Sequence, residues 1–195
     1  IIPGTCPWSL QQVSFYDLAS LVGLGSGPDG NAGYPLVSAY LSGKELKRVF
    51  ELQVLLAELL GDTYYLQISG GRMTFDRGRA VLLTLPFIDL PIPTTRAVES
   101  AELYSGQGIQ DTDEYLEIKK KDEQLYHVVT DYYIASFLPM AGEMLPSLGL
   151  VLKDKDGNPV ENLDDAIIHR NGRELKVWQA VLEYATLQPR DSDGN

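Results

Sequence analysis

Tyr34-Pro-Leu-Val-Ser-Ala-Tyr-Leu-Ser-Gly-Lys-Glu-Leu-Lys-Arg-Val-Phe-Glu51, then Tyr64-Tyr-Leu-Gln-Ile-Ser-Gly-Gly-Arg-Met-Thr-Phe-Asp76, decides how this chain is read. Val37 to Leu41 is a short apolar strand that runs into Ser42. Ser42 with Glu45 has the spacing of a capping box, in which hydroxyl and carboxylate satisfy the first free amides of a helix. The helix that follows carries Leu46, Val49, Phe50, Gln53 and Val54 at steps of three and four, with Lys44, Lys47, Arg48 and Glu51 opposite. Gly61 ends it. Tyr64 to Ile68 and Arg72 to Phe75 read as two strands around Ser69-Gly70-Gly71, a pair of glycines suited to a tight turn with positive φ.

Outward from this core, Ser14 and Asp17 repeat the capping-box spacing ahead of a short helix. Gly23 to Gly33 is a loop rich in Gly, Asp, Asn and Pro. Ala80 to Leu90 reads as a longer apolar strand interrupted by Pro86, and Pro91 to Gly108 as mostly irregular. Tyr115 to Lys119 and Leu125 to Thr130 alternate as a β-hairpin around Lys121-Asp122-Glu123. A helix is expected from Asp131, broken near Pro139. Asp154-Lys155-Asp156-Gly157-Asn158 is a turn. Asn162 caps a short helix through Ile168, and Arg173 to Leu187 is the last helix. Residues 189–195 form a polar, frayed tail. The fold class this predicts is α+β, a mixed or antiparallel sheet with packed helices, as one domain over residues 1–195.

Composition narrows the function. A formal net charge of -11 argues against nucleic acid and anionic membrane as partners. No apolar run approaches the roughly 20 residues a membrane-spanning helix needs. The chain starts at Ile1 with no n-region or h-region, so it reads as an excised domain or processed fragment. Cys6 is the only cysteine, which excludes an intramolecular disulfide and a cysteine-based zinc site.

Gly23-Leu24-Gly25-Ser26-Gly27 follows a helix and runs into Pro28, the reverse of the order a phosphate-binding loop requires. Gly157 stands fourth in its loop, whereas a calcium loop needs glycine sixth. His127 and His169 are the only histidines. His127 falls mid-strand, and His169 beside Arg170 is expected at a helix C-terminus, complementing its dipole. Neither lies in a metallophosphatase-type metal motif or behind a nucleophile elbow. Tyr126, Tyr132 and Tyr133 surround a strand-to-helix junction, where aromatic faces can either stack on a base or fill a core.

Four segments carry a resemblance: Val13-Ser14-Phe15-Tyr16-Asp17-Leu18, Leu41-Ser42-Gly43-Lys44-Glu45-Leu46-Lys47 with Phe50-Glu51, Leu66-Gln67-Ile68-Ser69-Gly70, and Tyr126 to Ala135. Together they resemble the C-terminal domain of the 5'-nucleotidase and UDP-sugar hydrolase family of two-domain metallophosphatases. The resemblance implies the α+β fold of that domain, a nucleotide or nucleoside ligand, and a periplasmic or cell-envelope hydrolase of nucleotide catabolism. It implies no cofactor and no catalytic residue in this chain. Divalent metals and hydrolysis would belong to an N-terminal metallophosphatase domain, the partner within the same protein.

In the family two aromatic rings clamp the base. Tyr133, with Tyr132 beside it, corresponds to one ring, and Leu24 stands where the other would be. Phe137-Leu138-Pro139-Met140 replaces a Gly-Gly-Asp-Gly segment whose Asp contacts the nucleoside, and the phosphate-binding Asn-Gly-Gly-x-Ile-Arg motif would lie upstream of Ile1. These departures keep a second reading open: a binding or structural module with the fold but not the nucleotide site.

Overall fold

Ser42 opens helix α2 (Gly43–Leu60) through the expected capping box: Glu45 N–H donates to Ser42 Oγ at 3.3 Å, and Ser42 N–H donates to Glu45 Oε2 at 2.8 Å. The same device starts α1 (Phe15–Val22), where Asp17 N–H donates to Ser14 Oγ and Ser14 N–H to Asp17 Oδ2. These elements belong to a computed structural model that describes residues 14–85, 90–105, 114–119, 121–144 and 149–187. The remaining elements are β1 (Leu36–Ser42), β2 (Gly71–Phe75), β3 (Val81–Leu85), β4 (Leu90–Pro93), β5 (Val98–Tyr104), β6 (Tyr115–Glu117), β7 (Leu125–Asp131), α3 (Tyr132–Met144), β8 (His169–Arg170), β9 (Arg173–Glu174) and α4 (Val177–Leu187). The protein is mixed α+β, with antiparallel strand pairs and four α-helices among the described residues.

The chain divides into two compact units, and the boundary falls inside β1, β7 and α3. One comprises Ile1–Ser38, Val129–Phe137 and Val160–Asn195; the other comprises Ala39–Val128 and Leu138–Pro159. The second unit is built around α2 and a three-stranded antiparallel sheet in the order β2-β5-β6. Phe50, Val54 and Ala57 of α2 are buried together with Ala97, Val98, Ala101 and Ile118. In the first unit Val37, Ala135, Ile167 and Leu175 are buried, and Leu36 N–H donates to Leu175 O while Ile168 N–H donates to Leu36 O. β1 is hydrogen-bonded to β7.

Several local expectations give way to longer-range pairing. Tyr64–Ile68 is not a strand: Gly61 turns the chain at φ 100° into a single 3-10 turn over Asp62–Tyr64. The Arg77 guanidinium holds that turn by donating to Glu58, Asp62 and the Ala57 carbonyl. β2 therefore pairs with β5, with Met73 opposite Ala101, and not with the residues before Ser69. β5 lies in the segment expected to be irregular; Val98 and Ala101 are buried and Glu99 is exposed, on small side chains with little apolar signal.

The long strand around Pro86 is instead two, β3 and β4, paired antiparallel with Leu85 opposite Leu90; residues 86–89 lie outside the described set. β6 and β7 form as strands but do not pair with each other: β6 joins β5 and β7 joins β1. α3 continues through Pro139 to Met144. α4 starts at Val177, four residues after the expected Arg173, because Arg173 and Glu174 are engaged in β9. The frayed tail expected at 189–195 also lies outside the described residues.

Glu51 departs from its expected place on the solvent face of α2. It is 3% exposed, and its two oxygens accept Ala97 N–H at 3.0 Å and Val98 N–H at 3.1 Å. A residue that the helical pattern places in water thus ties α2 to the start of β5.

Candidate functional site

Tyr133 lies in the first turn of α3 and is 48% exposed. Phe137 follows it by four residues on the same helix face, and the two rings meet edge-on with centroids 4.8 Å apart. The Tyr34 ring stacks on Tyr133 at 5.5 Å with an interplanar angle of 26°. Tyr34 is held by its backbone: its N–H donates to Leu24 O at 2.9 Å, and its carbonyl accepts Val177 N–H at 3.0 Å. Beneath it lies Gly25, where a Cβ would come within 2.1 Å of the ring.

Leu24 and Tyr132, at and beside the positions of the family's base clamp, are placed as follows. Leu24 is 70% exposed, and its carbonyl positions Tyr34. The Tyr132 hydroxyl donates to Asp164 Oδ1 at 2.8 Å, and that carboxylate together with partial burial pushes the phenol above its ordinary value. Tyr34 was not foreseen in this group and supplies the second ring. Direct aromatic pairs hold their centroids about 4.5–7 Å apart, with nothing between the rings. The 5.5 Å Tyr34–Tyr133 separation is a direct ring contact. The pairing of Tyr133 with Phe137 was legible as an i, i+4 aromatic pair; Tyr34 carried no such signal.

The other candidates separate from this group. Tyr126 belongs to the second unit, where its hydroxyl donates to Asp122 Oδ2 at 2.8 Å. His127, in the same unit, packs its ring on Tyr40 with centroids 5.1 Å apart. His169 is not at a helix C-terminus. The helix before it is a single 3-10 turn ending at Ala166, and His169 sits on β8 with Nδ1 3.0 Å from Ile167 O. Because a carbonyl only accepts, Nδ1 carries the proton and Nε2 is left as the acceptor of the neutral ring. Asn171 and Gly172 close the β8–β9 hairpin at φ 52° and 73°, the double positive-φ turn that an Asn-Gly pair favours. The Asp154 carboxylate accepts Asp156 N–H, Asn158 N–H and Asn158 Nδ2, which shapes its own turn. Among the described residues no group of three or more His, Cys, Asp or Glu is placed to hold a metal.

A second constellation in the first unit was not anticipated. Lys176 is 3% exposed, and its Nζ donates to Asp29 Oδ1 and Glu174 Oε2, both at 2.6 Å. The other Glu174 oxygen accepts Asp29 N–H at 2.9 Å. Burial alone would pull the ammonium down, but the two carboxylates outweigh it and hold Lys176 above its ordinary value. The Lys176 bond in turn holds Asp29 well below the usual carboxylate range. A lysine kept charged in this way is neither a nucleophile nor a base at neutral pH. It fastens the Gly23–Gly33 loop to β9.

Beside this clasp opens a cleft of about 970 Å³ lined by α1, the glycine loop, the β8–β9 hairpin and the first turn of α4. Asn31, His169, Arg173, Trp178 and Gln179 are on its walls. Its volume is that of a small-molecule site.

No protein-family model matches the chain, and no curated protein matches it. Among the described residues no helix is long and apolar enough to cross a membrane.

Proposed function

We propose that this chain is the substrate-recognition domain of a 5'-nucleotidase-like, metal-dependent phosphoesterase of the cell envelope, with the fold of that family's C-terminal domain. The ligand is a nucleotide or nucleoside. The metals and hydrolysis reside on an N-terminal metallophosphatase domain, and this chain positions the substrate. The observation that supports the reading best is Tyr133, half exposed at the start of α3 beside Phe137. An exposed aromatic face stacks on a base for about 1–3 kcal/mol.

A second reading has its own support. Tyr34 lies against Tyr133 at 5.5 Å, in the place where a clamped base would go. On that reading the chain is a binding or structural module that keeps the fold without the nucleotide site.

Titrating adenosine, uridine and their 5'-monophosphates into the protein, followed by calorimetry, separates the two. Binding that disappears in Tyr133→Ala and survives or tightens in Tyr34→Ala supports recognition. Absence of binding for all of them, in the wild type and in Tyr34→Ala, favours the module without a nucleotide site.

A further inference from the structure

We propose that the cleft beside Lys176 binds a small organic anion, a phosphate monoester or carboxylate with a flat apolar body, with Arg173 and Gln179 as the anion's donors. This site uses none of the Tyr34–Tyr133–Phe137 group and does not rest on the nucleotide reading.

Two features of the cleft leave hydrogen-bond donors for a ligand. Arg173 is exposed on β9 and has no ion pair or side-chain hydrogen bond among the described residues. Its cross-strand neighbour Arg170 differs, because Glu183 already takes its guanidinium. Gln179 is oriented by the backbone: its Oε1 accepts Lys176 N–H at 3.0 Å, the reach-back bond of a capping box at the start of α4. With the amide oxygen fixed there, the Nε2 hydrogens are what Gln179 can offer a ligand. A planar guanidinium with an amide N–H₂ suits a carboxylate or phosphate, which accept two or more donors at once.

The acidic residues nearby do not oppose an anion strongly. Asp29 and Glu174 both direct oxygens at the buried Lys176 ammonium. The formal charges of Asp29, Glu174, Lys176 and Arg173 sum to zero, in a chain whose net charge is -11. His169 stands on the hairpin side of the cleft with its Nδ1 proton committed to Ile167 O, so its Nε2 is an acceptor and is not among the anion's donors. The apolar wall is Trp178. Its Nε1–H donates to Ala32 O at 3.2 Å, and its ring edge packs on Gly33, where a Cβ would lie 2.6 Å from Cδ1. An indole fixed at both points presents a rigid surface, and Ala19 and Ala32 extend it.

The test is calorimetric titration of the whole chain with inorganic phosphate, phenyl phosphate and benzoate, repeated with Arg173→Ala and Gln179→Glu. Gln179→Glu keeps an oxygen for Lys176 N–H and replaces the donor amide with a negative charge. The Arg173 side chain is exposed and makes no hydrogen bond or ion pair among the described residues, so a truncation that keeps its β9 backbone should leave the melting temperature near that of the wild type. The expected result is binding of phenyl phosphate or benzoate that weakens about fivefold or more in both variants. Phenyl phosphate alone identifies a phosphate ligand, and benzoate alone identifies a carboxylate. Failure of both aromatic anions to bind the wild type overturns the proposal. So does a smaller loss in either variant, which would place the anion elsewhere, for example near Lys47, Arg79 and Arg96 of the second unit.

Discussion

Lys176 Nζ stands 2.6 Å from Glu174 Oε2, and both side chains are buried, at 4% and 6% exposure. Asp29 completes the arrangement from the glycine loop. The two buried charges, Glu174 and Lys176, would each be costly alone, and directed hydrogen bonds hold them together with the exposed Asp29. Gly27 makes room for them: a Cβ there would lie 2.0 Å from Glu174 Oε2 and 2.5 Å from Lys176 Nζ. Lys176→Met leaves two carboxylates facing each other with no cation, and should destabilise the protein by about 3–5 kcal/mol. Adding Glu174→Gln should recover part of that loss, because Gln keeps an acceptor for Asp29 N–H and removes one unpaired charge. Urea denaturation of the single and double variants measures the coupling. Additive effects would mean that the three residues do not act as a unit.

Glu51 gives a pH dependence of opposite sign to an ordinary ion-paired carboxylate. Burial pushes its carboxyl above the usual 4.5, and the Val98 and Ala97 amides offset this only in part. Between 4.5 and the raised folded value, the native state holds a proton that the unfolded chain has released. Stability from this group therefore falls as pH rises through that window. Glu51→Gln should remove this part of the slope. It should also cost about 1–3 kcal/mol at neutral pH, because an amide N–H₂ then faces a backbone donor. Denaturation curves over about pH 4.5–7 check both effects. Parallel profiles for wild type and variant would reject the assignment.

The parts legible in the sequence were those written locally. Both capping boxes sit where Ser14–Asp17 and Ser42–Glu45 put them, and of the expected α2 stripe Leu46, Phe50, Gln53 and Val54 are buried while Val49 is half-buried. Partner choice between strands was not legible. β2 pairs with β5 across more than twenty residues, and nothing in Arg72–Phe75 distinguishes that partner from a nearer one. The β8–β9 hairpin was legible in principle, since Asn171-Gly172 is a strong turn signal. In the site, Tyr133 was found from a pattern of neighbouring tyrosines, whereas Tyr34 reaches it from almost a hundred residues away. The Asp29–Glu174–Lys176 clasp is invisible for the same reason: its carboxylates come from distant segments.

Ser42 allows a test of the legible part. Its Oγ accepts Glu45 N–H and donates to Glu45 Oε2 at 2.7 Å, and Lys153 holds the other Glu45 oxygen. Burial would raise the Glu45 carboxyl, but Lys153 and the Ser42 donors prevail and hold it below its ordinary 4.5. Its contribution is therefore present above 4.5 and is lost as pH falls through the lower folded value. Ser42→Ala should cost about 1–2 kcal/mol at neutral pH. The difference from wild type should shrink on acidification, because a protonated Glu45 accepts the Ser42 hydroxyl's hydrogen bond more weakly than the carboxylate does. Urea titrations at neutral and acidic pH read both numbers. A penalty that is constant with pH would confine the role of Ser42 to its bond with Glu45 N–H.

Gly25 gives the sharpest test of the aromatic group. Its φ is +68°, in the region that side-chain-bearing residues rarely adopt, and an added Cβ would meet the Tyr34 ring at 2.1–2.5 Å. Backbone strain of about 1–2 kcal/mol and overpacking of about 1–3 kcal/mol predict a loss of roughly 2–5 kcal/mol for Gly25→Ala. The ring is the part that can move, since the Tyr34 backbone is held by Leu24 O and Val177 N–H. Displacing it should separate Tyr34 from Tyr133 and weaken their ring-current shifts in the aromatic proton spectrum. In a Tyr34→Ala background the clash is absent, so adding Gly25→Ala there should cost only the strain of the positive φ. If Gly25→Ala costs as much in that background as in the wild type, the glycine is required by its backbone conformation and not by the ring above it.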